Sequence, residues 1–305
     1  MAKARTADKH NLRPADNRID FIGVHKWIGF AITGVCVAIT IFSLLTKGLN
    51  FGIDFTGGIV IEARTETPAD MKKLRSIFDG GNFGEVSLQS FGDPRDFMIR
   101  LQASNEGEQQ KIAEKIKATL DEKYGEKIEY RKVDYVGPQV GGELIRSSFI
   151  AVGLALVAIM CYLWARFEWQ YGIGGLLALF HDTIITTGFF SVTQIEFNLT
   201  SIAALLTIIG YSINDSVVIY DRIRENFRKY KSMDKNTIIN VSVNQTLSRT
   251  LMTAGTVLLA TFALMIFGGG VIFGFSAAMF FGVIIGTHSS IYVSATSLTF
   301  FKLKR

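Results

Sequence analysis

Asp215 is the only charged residue in Leu199–Tyr220, an apolar run of 22 residues that reads LTSIAALLTIIGYSINDSVVIY. A helix of that length rises far enough, at about 1.5 Å per residue, to cross a hydrocarbon layer of about 30 Å. An aspartate at the centre of a spanning helix costs about 2.5–3.5 kcal/mol, and carboxylates kept at that cost usually serve an ion or substrate path. Thr207, Tyr211, Asn214 and Asp215 fall at i, i+4, i+7 and i+8, so they form one polar stripe, expected to face a bundle interior. Two roles fit Asp215: a proton carrier, or a buried acid that holds two helices together. Two further apolar runs carry polar groups. His181 and Asp182 sit side by side near the middle of one. Gln245, Arg249, Thr253 and Thr256 lie at i, i+4, i+8 and i+11 on another, in which Arg249 is the sole charge. An Asp and an Arg on neighbouring helices are expected to pair. Pairing and burial pull a carboxyl's proton affinity in opposite directions, so a small rearrangement can load or unload a proton. Arg249 can alternatively snorkel to the membrane edge. His181 can equally act as a hydrogen bonder between helices.

The elements that hold these residues follow from composition. The 305 residues are 49% hydrophobic with four prolines, which describes a polytopic α-helical membrane protein. Cys36 and Cys161 both fall in apolar stretches and suggest neither a disulfide framework nor a metal site. No Walker A loop, catalytic triad or Cys/His metal spacing occurs, so the sequence points to no nucleotide hydrolysis, no acyl-enzyme, no metal and no cofactor. It reads as a non-enzymatic protein driven by a gradient or a partner. The net charge of +5 could suit nucleic acid, but the basic residues flank the apolar runs, where membrane topology accounts for them.

Six spans are expected. Residues 1–26 form a basic cytoplasmic segment, and 27–46 a first span read as retained rather than as a cleaved signal peptide. Residues 47–142 are too polar for a membrane. Within them alternation predicts strands at Gly58–Thr65, Glu85–Phe91, Asp96–Gln102 and Lys127–Val136, and helical periodicity predicts helices at Pro68–Asp79 and about Glu106–Tyr124. The order β-α-β-β-α-β is that of a ferredoxin-like α+β domain. Gly137, Pro138, Gly141 and Gly142 then interrupt the chain before the membrane, as a hinge or as a tight turn. Residues 143–305 carry spans 2–6, with a basic cytoplasmic loop at about 222–240. Gly274, Ala278, Gly282 and Gly286 recur every fourth residue of the last span, a ridge for close helix contact. With both termini inside, the short inner connections and termini hold seventeen Lys and Arg and the short outer ones none, which places the 47–142 domain outside, in a periplasm.

FGIDFTGG at Phe51–Gly58, VGPQVGGEL at Val136–Leu144, the pair His181–Asp182 and GYSINDSVVIYDRIREN at Gly210–Asn226 together resemble the SecD/SecF family of bacterial protein-export membrane proteins, in its smaller, SecF-type members. The likeness runs from about Asp20 to Phe301. It implies a member of the resistance-nodulation-division superfamily, resident in the inner membrane. Such a member pairs with a SecD-like subunit beside the SecYEG channel, and the proton motive force pulls unfolded preprotein outward after SecA has driven it in. YajC is a further candidate partner, and membrane lipid surrounds the whole. The proposed relay of the family falls on Asp215 and Arg249, with one further Asp contributed by the SecD half. His181, Asp182, Tyr211 and Asn214 are candidate supporting residues. The alternative, a free-standing exporter of small molecules or lipids, needs a second periplasmic domain and usually a second six-span half.

Overall fold

A computed structural model describes residues 19–79, 83, 86–90, 93–101 and 109–303. The N-terminal basic residues from Lys3 to Arg18 lie outside the described residues, as do Lys304 and Arg305. Among the described residues six helices are long and apolar enough to cross a membrane, which makes the chain a multi-pass membrane protein. Helix α1 is His25–Thr46, and a one-turn helix α2, Ile53–Thr56, follows it. The extramembrane unit then runs β1 (Gly58–Thr65), α3 (Met71–Asp79), β2 (Val86–Ser90), β3 (Asp96–Leu101), α4 (Gln109–Lys123) and β4 (Ile128–Val136). The bundle continues with α5 (Pro138–Arg166), α6 (Trp169–Thr193), α7 (Leu199–Lys229), α8 (Lys235–Phe267) and α9 (Gly269–Ser289). After α9 comes a π-helical stretch, Ser290–Ala295.

The four strands form one antiparallel sheet in the order β2-β3-β1-β4. β1 is central, so residues of both its faces are buried. On one face Ile59, Ile61 and Ala63 pack on Leu74, Ile77 and Phe78 of α3 and Ile116 and Leu120 of α4. Each fully buried aliphatic side chain there is worth roughly 1.5–3 kcal/mol. The opposite face, with Val60 and Glu62, looks toward the span ends. Gly57 and Gly58 both adopt positive φ, 71° and 134°, which makes the sharp entry from α2 into β1 one that only glycine adopts without strain.

Side-chain caps fix the first turns of the two site-bearing helices. Asn198 and Ser201 form a reciprocal capping box that starts α7. The Asp234 side chain accepts the Thr237 N–H at 2.9 Å and starts α8. Because α7 runs unbroken to Lys229 and α8 begins at Lys235, the basic loop expected over 222–240 shrinks to residues 230–234, and its positive charges ride on helices.

The glycine-rich run also differs from expectation. It does not break the helix: α5 starts at Pro138, with Gly137 as an extended N-cap, so Gly141 and Gly142 lie in its first turns. Proline suits that first position because its missing N–H is one of the unpaired amides of a first turn. Gly141 has a packing reason, since a Cβ there would lie 2.6 Å from the Phe55 carbonyl oxygen of α2, whereas Gly142 meets nothing within 4 Å. Gly141→Ala is therefore expected to prise α5 off α2 and lower the detergent-solubilised protein's thermal midpoint. Gly142→Ala should leave it unchanged or raise it, by helix propensity of up to about 1 kcal/mol. A hinge that needs both glycines predicts functional loss from both alanines, and an export assay on the pair separates the two accounts.

Candidate functional site

Helix α7 positions the site, and its neighbours are set by small residues. The ridge on α9 packs against α7: a Cβ on Gly282 would meet Ile208 Cδ1 at 2.3 Å, and one on Gly286 would meet Ser212 Cβ at 3.3 Å. That approach buries Leu205, Ile208, Ser212, Asp215, Ser216, Ile219 and Tyr220 of α7.

Asp215 is 3% exposed. Its Oδ1 accepts a hydrogen bond from the Thr250 hydroxyl of α8 at 3.2 Å, and its Oδ2 is buried with no partner. The expected pairing with Arg249 is not made: no Arg249 nitrogen lies within 4.0 Å of the carboxylate, and Arg249 is exposed. The two residues sit on adjacent helices, but Thr250 turns inward where Arg249 turns out. The polar stripe is likewise split. Asp215 is inside, Tyr211 is half-buried, and Thr207 and Asn214 are exposed. Thr256 on α8 is exposed as well. The stripe runs along the margin of this chain's own bundle, not through its centre.

The centre holds a different carboxylate. Asp182 on α6 is fully buried and ties three groups together. Its Oδ2 accepts from the hydroxyls of Ser212 on α7 at 2.5 Å and Ser289 on α9 at 2.8 Å, and its Oδ1 lies 2.9 Å from His181 Nδ1. His181 stacks on His288 with centroids 6.3 Å apart, and His288 Nε2 meets the Thr33 hydroxyl of α1 at 3.2 Å. Below this hub, toward the Lys229 end of α7, Ser216 meets Ser290 at 3.3 Å and Ser294 donates to the Tyr220 hydroxyl at 2.6 Å. The serine partners were not singled out in the sequence. Their signal was there in the four-residue spacing of Ser212, Ser216 and Tyr220 on one helix and in Ser289, Ser290 and Ser294 on another. Among the described residues no group of three His, Cys, Asp or Glu side chains could hold a metal ion.

At its other end α7 touches the extramembrane unit. The loop 194–198 accepts and returns backbone bonds with residues 50–52: Phe197 N–H to the Asn50 carbonyl and Gly52 N–H to the Phe197 carbonyl, both 2.8 Å. Asp54 Oδ2 accepts the Leu199 N–H at 2.9 Å, an amide that α7's own capping box leaves unpaired. Arg100 of β3 donates to the Glu196 carboxylate. Burial pushes the carboxyls of Glu196 and of Glu62 above the usual range. Phe51, Phe55, Phe190 and Phe197 close the junction as a ring cluster with centroids 5.3–6.0 Å apart.

Comparison with known proteins agrees with this layout. The family described as "Protein export membrane protein SecD/SecF, C-terminal" matches residues 115–304, and the "SecD/SecF GG Motif" matches residues 42–69, which include the paired glycines Gly57 and Gly58 at the start of β1. The protein translocase subunit SecF of Rickettsia akari is 50% identical over 291 residues, 95% of this chain and 94% of that protein. The one from Rickettsia bellii is 50% identical over 295 residues, 96% and 97% of the two chains. A crystal structure of SecDF from Thermus, named as translocon-associated, superposes with a TM-score of 0.83 at 36% identity over 97% of this chain. A second, of SecDF in a "super-membrane-facing form", superposes with a TM-score of 0.67 at the same identity over 96%. This chain spans 41% and 40% of those two solved chains, so it corresponds to one part of a longer SecDF protein. The relatives are protein-export subunits and not small-molecule or lipid exporters, and with a family match over residues 115–304 and half-identical relatives along almost the whole length, the chain belongs to the SecD/SecF family of protein-export membrane proteins.

Proposed function

We propose that the chain is the SecF-type half of a proton-driven export unit of the bacterial inner membrane, in which Asp215 takes up and releases the proton. The observation that carries the proposal is the buried, unpartnered Asp215 Oδ2 at the margin of the bundle. A proton bound there satisfies an acceptor that the fold leaves empty, and its release leaves a charge that a nearby cation can meet. Arg249, exposed one residue from the Thr250 that holds Oδ1, is the cation within reach of a small helix movement. Thr207, Asn214 and Thr256 are exposed polar side chains on α7 and α8 that a SecD-like half would cover, and that half completes the relay. One charge moving through 100 mV releases about 2.3 kcal/mol, enough to bias a two-state helix arrangement by more than tenfold.

In this reading both termini are cytoplasmic and the sheet is periplasmic. The unit works beside SecYEG, YajC is an accessory partner, and unfolded preprotein that SecA has pushed into the channel is the client. The test is export into vesicles that hold the full complex, with and without a proton gradient. Collapse of the gradient by an ionophore is expected to slow the late stage of export severalfold; equal rates in both conditions would end the proton-driven reading. Arg249→Lys is expected to keep most of the gradient-dependent part, since it keeps the charge, and Arg249→Met to lose at least tenfold of it. Equal tolerance of both changes would mean that Arg249 only snorkels.

A further inference from the structure

Chain connectivity alone joins the extramembrane sheet to the membrane at two places, the stretch before α2 and Gly137. The fold adds a third connection without a covalent bond, and it lands on the helix that carries Asp215. Arg100 reaches from β3 to Glu196, and the two side chains are 12% and 20% exposed. Asp54 caps Leu199, the first residue of α7. Gly52 lies so close beneath Glu196 that a Cβ would meet its Oε1 at 2.3 Å. From Leu199 the helix runs without a break through Asp215, sixteen residues and about 24 Å further on.

We infer that the Arg100–Glu196 ion pair, supported by the Asp54 cap, is the contact that couples the periplasmic sheet to helix α7. Arg100, Glu196 and Asp54 are thereby positioning residues for export. The inference rests on Asp215 as the proton site. A rigid helix whose middle shifts on proton binding must move its outer end too, and that end is tied to the sheet directly through Arg100 and to the stretch before the sheet through Asp54 and the backbone bonds of residues 50–52. Beside this tie lies a groove of about 1100 Å³ between the sheet face, with Val60, Glu62 and Met98, and the span ends, with Ile195, Phe267 and Phe273. Along this groove the sheet face stands apart from the span ends. The two solved SecDF structures fit this chain with equal identity but TM-scores of 0.83 and 0.67, so their corresponding parts differ in shape.

The experiment compares Arg100→Glu, Glu196→Arg and the double swap in the full chain, assembled with its SecD-type partner in vesicles. Its readout is the ratio of gradient-stimulated to gradient-independent export. Each single reversal is expected to lower that ratio at least fivefold, and the double swap to restore at least half of it. A pair that only holds the fold together would lower both kinds of export in proportion and leave the ratio unchanged; that result overturns the inference, as does a double swap no better than the singles. Hydrogen exchange at the Leu199 to Ile202 amides is a second measurement, independent of the proton site. It should quicken in both singles and return in the double. If Asp215→Asn in the same assay keeps its gradient stimulation while exchange follows the swap, the relay reading fails and the contact stands as a structural one only.

Discussion

Asp215→Asn is expected to bring gradient-stimulated export down to the gradient-free level while the complex still assembles and stays folded. Asparagine keeps the length and shape of the side chain and, through Oδ1, the bond from Thr250. Its amide nitrogen replaces Oδ2, an atom that already lacks a partner. One buried unsatisfied acceptor becomes one buried unsatisfied NH2 group with two N–H donors, each group costing about 1–3 kcal/mol, so the net stability change is small. What disappears is the carboxyl that, in the proposed relay, binds and releases the proton. Asp215→Glu retains the carboxyl and should keep a measurable part of the stimulation. The measurement is export rate against imposed gradient in vesicles of equal complex content. An Asn variant that responds to the gradient like the parent would remove Asp215 from the relay. One that loses its partner subunit would make it a helix fastener, the second role that the sequence left open.

Much of this architecture is readable from residue order because its signals are local. Alternation in GIVIEART gives β1 to the residue, β4 begins one residue later than expected, and the described residues of β2 and β3 lie within the expected strands. The spans are equally plain, since hydrocarbon length and backbone hydrogen bonding leave few alternatives. The failures all concern what a face packs against. Spacing places Thr207, Tyr211, Asn214 and Asp215 on one stripe, but periodicity does not say whether the next helix belongs to this chain. Asp215 meets Thr250, whereas Thr207 and Asn214 meet nothing in this chain's interior. Arg249 and Asp215 suit each other chemically, yet a rotation of about 100° per residue puts Thr250 inward in its place. Gly141 and Gly142 look alike in sequence, and only the Phe55 carbonyl distinguishes them. The bond from Arg100 to Glu196 crosses 96 residues, a separation at which neither residue hints at the other.

The last expected result concerns the aspartate that the sequence ranked lower. Asp182→Ala should fail to give a stable bundle, even though both aspartates lie in membrane spans. The two carboxylates differ in what they leave unpaired. Asp215 has a free oxygen, whereas the oxygens of Asp182 meet the Ser212 and Ser289 hydroxyls and His181 Nδ1. Removing it strands the Ser212 hydroxyl of α7 and His181 Nδ1 of α6 where no water reaches and leaves the Ser289 hydroxyl only the Gly286 carbonyl, since Asp182, Ser289 and Ser212 are each 0% exposed. At about 1–3 kcal/mol for each of the two stranded groups the loss is roughly 2–6 kcal/mol, a large share of the usual 5–15 kcal/mol that holds a fold. Asp182→Asn keeps one acceptor oxygen and should fall between. The check is the thermal midpoint and the monodispersity of the detergent-solubilised protein, read beside Asp215→Asn, whose midpoint should stay near that of the parent. Should Asp182→Ala instead purify with an unchanged midpoint and lose only its response to the gradient, the hub is a proton site, and the division of labour between a fixed and a titrating aspartate is reversed.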